Sequence, residues 1–211
     1  MARPKKSAQA EMATIKIEST FWKLLETEKY SDITVLRIAQ ESGVNRNSFY
    51  YHYKDMDDLA YQAFKNNAET EPSRQLIATL LSIFQTKESE NIPAFDLSVL
   101  PHSKRIMLCA RSESSYLKQL VSAFLKEIWL NTFSIKEELL TLQEKLQINF
   151  IITGIIATLG SEEIKESPLL MLKLAQTEMG KAMVSTLETI AAAQKNLTTA
   201  PSANGISSSA M

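Results

Sequence analysis

Asn45, Arg46, Asn47 and Ser48 place four polar side chains in a row behind a glycine, in the stretch GVNRNSFYYHYK of residues 43 to 54. An arginine there has a definite chemistry. Its guanidinium can bind guanine O6 and N7 together, with about 1–3 kcal/mol of discrimination against a wrong base. The plain alternative is a solvated charge. Five aromatic or imidazole rings follow at once: Phe49, Tyr50, Tyr51, His52 and Tyr53. Such crowding marks either a packing element or a surface that touches a partner.

The flanking residues say which elements hold them. Thr34 can cap a short helix, VLRIAQES, by placing its hydroxyl on the free amides of the first turn. Gly43 ends that helix, because glycine takes a positive φ without steric cost. Asn45 can cap a second short helix, 46 to 52. Asp55 can cap another, running to about 69, with Asp57 and Asp58 favourably placed in its first turn. Ile38, Val44 and Phe49 supply the apolar hub where the two short helices meet, and Ala39 is small enough to let them cross closely. Phe49 and Tyr53 share the inward face. Short helix, glycine turn, short helix is a helix-turn-helix, whose second helix lies in a DNA major groove with its early residues at base edges.

From Ile33 to Leu59, ITVLRIAQESGVNRNSFYYHYKDMDDL, the sequence resembles the tetracycline-repressor (TetR) family of transcription regulators. The resemblance extends more loosely over 9–69, and beyond that only in helix count, length and order. It implies that Asn45, Arg46, Asn47 and Ser48 open the recognition helix and face the bases. Tyr50 would set its hydroxyl on a phosphate. Tyr51 would touch the backbone or a thymine methyl, and His52 the backbone, with a structural histidine as the other reading. Thr34 and Arg37 lie on the helix that crosses the phosphates. Two positions depart from the family pattern: Asn47 stands where glycine is frequent, and Met56 where a lysine commonly meets a phosphate. Methionine cannot make that contact, and Lys54 is the candidate replacement. On this reading Arg46→Ala relaxes specificity at one base position, whereas Tyr50→Phe weakens all sites alike.

The whole chain frames this motif. With 211 residues, 45% apolar, 22% charged, and only 5 glycines and 6 prolines, it reads as a globular, all-α protein. The net charge of −1 excludes a uniformly basic nucleic-acid binder but allows a local basic face. Residues 1–54 carry nine Lys or Arg against six acids. Residues 1–8 read as a flexible basic arm, either a solvated tail or one that tracks phosphates or a minor groove. A helix follows over 9–28, with Met12, Ile15, Phe21, Leu24 and Leu25 near one face and Ile17 and Trp22 flanking it. Cys109 is the single cysteine, which excludes an intrachain disulfide. With no signal-like N-terminus the expected location is cytoplasmic. The run INFIITGIIATL is too short to span a membrane and reads as a buried or interface helix.

Further helices are expected over 72–88, 103–110, 113–131, 135–159 and 168–194, with 89–101 an irregular loop, lid or hinge. The expected architecture is an N-terminal three-helix head with the helix-turn-helix, residues 9–69, plus a larger C-terminal helical ligand-binding and dimerisation domain, 70–194. A disordered tail, 195–211, ends the chain. Gly154 and Gly180 fall mid-helix, where glycine costs roughly 1 kcal/mol against alanine, a cost that close helix approach would explain. In similar proteins the last two long helices form a four-helix dimer interface. That implies Ile152, Ile156, Leu172, Met179, Gly180, Met183 and Leu187 here. Candidate ligand-lining residues are Phe84, Phe95, Met107, Phe124, Trp129, Phe133 and Phe150, for each of which, taken singly, plain core packing is the favoured reading.

Two histidines and one cysteine, far apart, make no metal site, and no cofactor is implied. With no phosphate loop, nucleophile elbow or histidine–carboxylate set, the chain does not read as an enzyme. The expected function is a sequence-specific regulator, a homodimeric repressor on a palindromic double-stranded DNA operator, released by a small-molecule effector, with no membrane partner. The alternative is a ligand-independent architectural or co-regulatory protein of the same fold. An interaction module with a degenerate helix-turn-helix is weakened by the polarity of Asn45 to Ser48.

Overall fold

The computed structural model describes residues 6–70, 100–167 and 170–199. All regular elements among them are helical. The expected helix 72–88, segment 89–99, residues 1–5 and the tail from 200 lie outside the described residues.

Helix α1 spans Lys6–Leu25. It takes Lys6 to Ala8 from the expected arm and ends three residues early, where Thr27 and Glu28 both donate their amides to the Leu24 carbonyl. Its buried stripe is Ile17, Phe21 and Leu24 with Trp22 and Leu25, while Met12 and Ile15 are exposed. The inward face is centred on Ile17 and Phe21, one turn apart. At about 100° per residue, Ile15 is turned about 200° from Ile17, so it cannot share that face.

Helix α2, Val35–Ser42, begins where Thr34 accepts the Arg37 amide and ends at Gly43, whose φ of 66° is left-handed. Helix α3, Arg46–His52, begins where Asn45 accepts the Asn47 amide. Helix α4, Met56–Ala68, begins where Asp55 accepts the Asp58 amide, with Asp57 and Asp58 in the positive first turn. Phe21, Ile38, Phe49, Tyr53 and Leu59 are buried in the core these four helices share.

Beyond the head run α5 (Leu100–Arg111), α6 (Ser115–Thr132), α7 (Leu142–Leu159), α8 (Glu162–Glu166), α9 (Leu170–Ala175) and α10 (Glu178–Thr199). The helix expected from 135 begins at 142, because Thr141 and Glu144 form a reciprocal capping box there. A 3-10 turn, Glu137–Leu139, precedes it. Gln194 locks that connection to α10, accepting the Lys136 amide and donating to the Lys136 carbonyl. The single helix expected over 168–194 is two. Thr177 donates to the Leu174 carbonyl and accepts the Gly180 amide, closing one helix and opening the next. A Cβ on Gly180 would lie 2.3 Å from the Ala175 carbonyl oxygen, so only glycine fits this break. Gly154, by contrast, has nothing within 4 Å of its missing Cβ among the described residues, so no approach among them explains it. Helix α10 continues to Thr199, through the first residues of the expected disordered tail.

Head and body meet along α4, which packs on α5 and α6. Tyr116 of α6 donates to the Asp57 carbonyl. Deeper in the seam, Asn67 is 2% exposed. Its amide donates to the His102 carbonyl, and its Oδ1 lies 3.1 Å from His102 Nδ1 and accepts from Arg105. Arg105 in turn stacks on Trp22 of α1. Burial first, then the neighbouring Arg105 charge, holds the His102 pKa below its ordinary value, against a smaller opposing pull from its hydrogen bond with Asn67. A lowered folded-state value means the unfolded chain binds the proton more readily. His102 therefore contributes stability above its unfolded pKa of about 6.5, lost as pH falls below it. Urea unfolding at neutral pH and about one pH unit below that value should show wild type losing stability, with His102→Gln losing less. Equal pH slopes would remove His102 from the account.

Candidate nucleic-acid interface

Helix α3 presents two faces. Phe49 is 0% exposed, and its ring lies 5.5 Å from that of buried Tyr53. The Tyr53 hydroxyl donates to Glu18 of α1, and burial, then the Glu18 charge, raises its pKa. This pair fixes the angle at which α3 leaves the head. On the opposite side Asn45, Arg46, Asn47, Tyr50 and Tyr51 are exposed and Ser48 is half-buried. Tyr51, at 81%, is almost fully in solvent. Asn45 spends its Oδ1 on the Asn47 amide at 2.8 Å, which leaves the Nδ2 donors for an outside acceptor. Arg46 lies over the Tyr50 ring, 5.6 Å from its centroid.

His52 is half-buried in the seam between α1 and α3. Its Nδ1 is 3.5 Å from the Thr14 hydroxyl, and its ring lies beside Tyr51 and Tyr53. That is the setting of a structural histidine. Met56 packs against the core, so its position points inward and offers no cation. Lys54 is exposed, and its backbone amide donates to Asp58. A hydrogen bond from Gln62, then that amide, holds the Asp58 carboxyl below the usual carboxylate range. The loop carrying Lys54 is thereby pinned to α4.

Arg37 has surroundings that motif spacing does not reveal. Its Nη2 lies 3.3 Å from Glu28 and 3.4 Å from Glu41. Two carboxylates answer its charge, and one comes from the loop before α2. Glu41 is four residues away, a spacing visible in the sequence, but Glu28 is brought in only by the fold. Thr34, exposed, has its hydroxyl oxygen engaged in the α2 cap. Glu41→Gln should raise affinity for duplex DNA about twofold to fivefold at low salt, the size of one exposed charge interaction of about 0.5–1 kcal/mol. Unchanged or weaker binding in a fluorescence-anisotropy titration would show that Arg37 does not face DNA.

The described members of the expected ligand-lining set do not converge. A cleft of about 510 Å³ opens between α4 and α6, lined by Tyr61, Phe64, Leu120, Phe124, Glu127 and Ile128 among others. Of the described members of the expected set, Phe124 alone lies on it, edge to face with Phe64. Met107 and Trp129 are buried, and Phe133 lies beside Ala191 and Lys195 at another groove. Phe150 is 82% exposed on α7 and points away from the interior. Its placement is a correction: α7 turns Ile148, Ile151 and Ile152 inward, and Phe150 falls on the far side of the helix. Phe84 and Phe95 lie outside the described residues.

The expected interface set also divides. Ile152, Ile156, Leu187 and Gly180 are buried within the chain, and Met183 packs against its core. Met179 is 63% exposed, and the side chain of Leu172 lies outside the described structure. Intrachain burial withdraws the first three side chains from any partner. The exposed large apolar residues of α7 are Leu142, Leu146 and Phe150, each one turn from the next.

Among the described residues no cluster of three or more His, Cys, Asp or Glu could hold a metal, and no helix is long and apolar enough to cross a membrane. Cys109 is buried, and its thiol is pushed up to about 12 by desolvation.

Two capped short helices joined by a left-handed glycine, with the second turning its polar start outward, define a helix-turn-helix transcription regulator. Residues 22–63 match the family model described as bacterial regulatory proteins, tetR family, a match that supports a TetR-type DNA-binding regulator. No curated protein matches the chain.

Proposed function

We propose that the protein is a homodimeric, sequence-specific repressor that binds a palindromic operator in double-stranded DNA. Residues 9–69 would carry DNA binding and 70–194 regulation and dimerisation, in a protein that works in the cytoplasm where its operator lies. The observation that carries the reading is the outward face of α3, where Asn45, Arg46, Asn47 and Tyr50 stand in solvent while Phe49 and Tyr53 anchor the helix from beneath. Arg46 rests on a ring rather than on a carboxylate, so its charge is available to an acceptor. A head this small reads few base pairs. A two-fold dimer doubles the site and sets half-sites about 34 Å apart.

A small effector would act through the cleft between α4 and α6, because α4 belongs to the head. It could release DNA only by its difference in affinity for the two head spacings. The ligand-independent reading has one observation in its favour: the described members of the expected lining set do not meet in one cavity. Selection from a random-sequence duplex library should enrich a palindrome. Titration of that duplex at two salt concentrations should then show affinity falling with salt as phosphate contacts are screened. Enrichment of no sequence would overturn the proposal.

A further inference from the structure

On the reading of α3 as the DNA-facing helix, on which this inference rests, Arg46 and Tyr50 stand four residues apart on its outward side. The Arg46 guanidinium carbon is 5.6 Å from the Tyr50 ring centroid, within reach of a cation–π contact. Its Nη2 donates to the Tyr50 hydroxyl at 3.5 Å, the outer limit of a hydrogen bond. The ring, not the hydroxyl, is therefore the stronger hold. The Tyr50 ring is itself braced, edge-on to buried Phe49 at 5.4 Å and 83°. A path thus runs from the head core through Phe49 and Tyr50 to the guanidinium. The other arginine of the motif, Arg37, is held by Glu28 and Glu41 and lacks such a ring support.

We propose that Tyr50 is a positioning residue: its ring face orients the Arg46 guanidinium toward a guanine in the major groove, and so sets specificity at that base pair through Arg46. An unrestrained arginine must give up rotamer freedom on docking, and a guanidinium already laid on a fixed ring gives up less. The effect falls on one base pair. A hydroxyl on a phosphate would instead strengthen every sequence alike.

The two roles separate by substitution. Tyr50→Phe keeps the ring and removes the hydroxyl, whereas Tyr50→Leu removes both. The full chain and its Tyr50→Phe, Tyr50→Leu and Arg46→Ala variants are titrated against the duplex selected by wild type. A panel changes each base pair in turn, with 7-deazaguanine at each guanine to delete N7. Tyr50→Leu should lower discrimination about twofold to fivefold at one guanine, the fold-change an exposed cation–π contact carries. Arg46→Ala should flatten that same position, and Tyr50→Phe should retain it. Adding Tyr50→Leu to Arg46→Ala should cost nothing more there. Equal loss by Tyr50→Phe and Tyr50→Leu across the whole panel would overturn the proposal in favour of a phosphate contact. Intact guanine preference in Tyr50→Leu would also overturn it. If wild type selects no sequence, the proposed function falls with it; if wild type selects one and Tyr50→Leu shifts every panel member alike, only the role of Tyr50 falls.

Discussion

Phe49→Ala should abolish measurable duplex binding and lower the midpoint of thermal unfolding by about 10 °C. Phe49 is wholly buried, with its ring against those of Tyr50 and Tyr53. Removing a buried phenylalanine costs about 3–5 kcal/mol, because the cavity left behind only partly collapses. In a chain of about 200 residues each kcal/mol moves the midpoint roughly 2–4 °C. The functional loss should exceed the stability loss. Phe49 lies between the core and the outward face, so its removal frees α3 to change its angle and unbraces Tyr50 beneath Arg46. Circular dichroism melting and anisotropy titration at a temperature where the variant remains folded would separate the two effects. A midpoint within a degree or two of wild type, with binding intact, would mean that Phe49 does not anchor this helix.

On the proposed homodimer, Phe150→Glu should leave a folded monomer of 23.7 kDa, whose melting no longer depends on protein concentration. Phe150, Leu146 and Leu142 form an exposed apolar stripe on α7, and exposed Met179 stands at the start of α10. Residues of this kind in a row are costly in water and suit a self-complementary surface. A glutamate in that stripe would bury a charge against a second copy, while the core of each protomer keeps its packing. Affinity for the selected palindrome should fall about 100-fold or more, since two linked heads gain that order from avidity. Sedimentation equilibrium and operator titration on the same sample test both parts. A Phe150→Glu protein of unchanged mass and affinity would place the interface elsewhere.

Much of the head could be read in one dimension because its determinants are local. Thr34, Asn45 and Asp55 each satisfy amides two or three residues away, and Gly43 takes its left-handed φ beside them. The alternation of Phe49 and Tyr53 inward with Tyr50 and Tyr51 outward follows from helical geometry alone. The body was less legible. Its helices carry apolar residues on nearly every side, so periodicity did not say which side faced in. Phe150 reads like its neighbour Ile151, yet one is exposed and the other buried. The break at Gly180 depends on a carbonyl at Ala175 that the chain reaches only by turning back on itself.

By itself the sequence determined the all-helical class, the caps and turn of the helix-turn-helix, and the polar run from Asn45 to Ser48. Each of these is an interaction among residues within a few positions of one another, so residue type and spacing suffice. Tertiary structure alone decided which partners a side chain finds across helices. It brought Glu28 to Arg37, joined Asn67 to His102 and Arg105 at the seam of head and body, and turned Phe150 to solvent. Those outcomes depend on how helix axes cross, and a crossing is set by the summed packing of many residues distant in the chain.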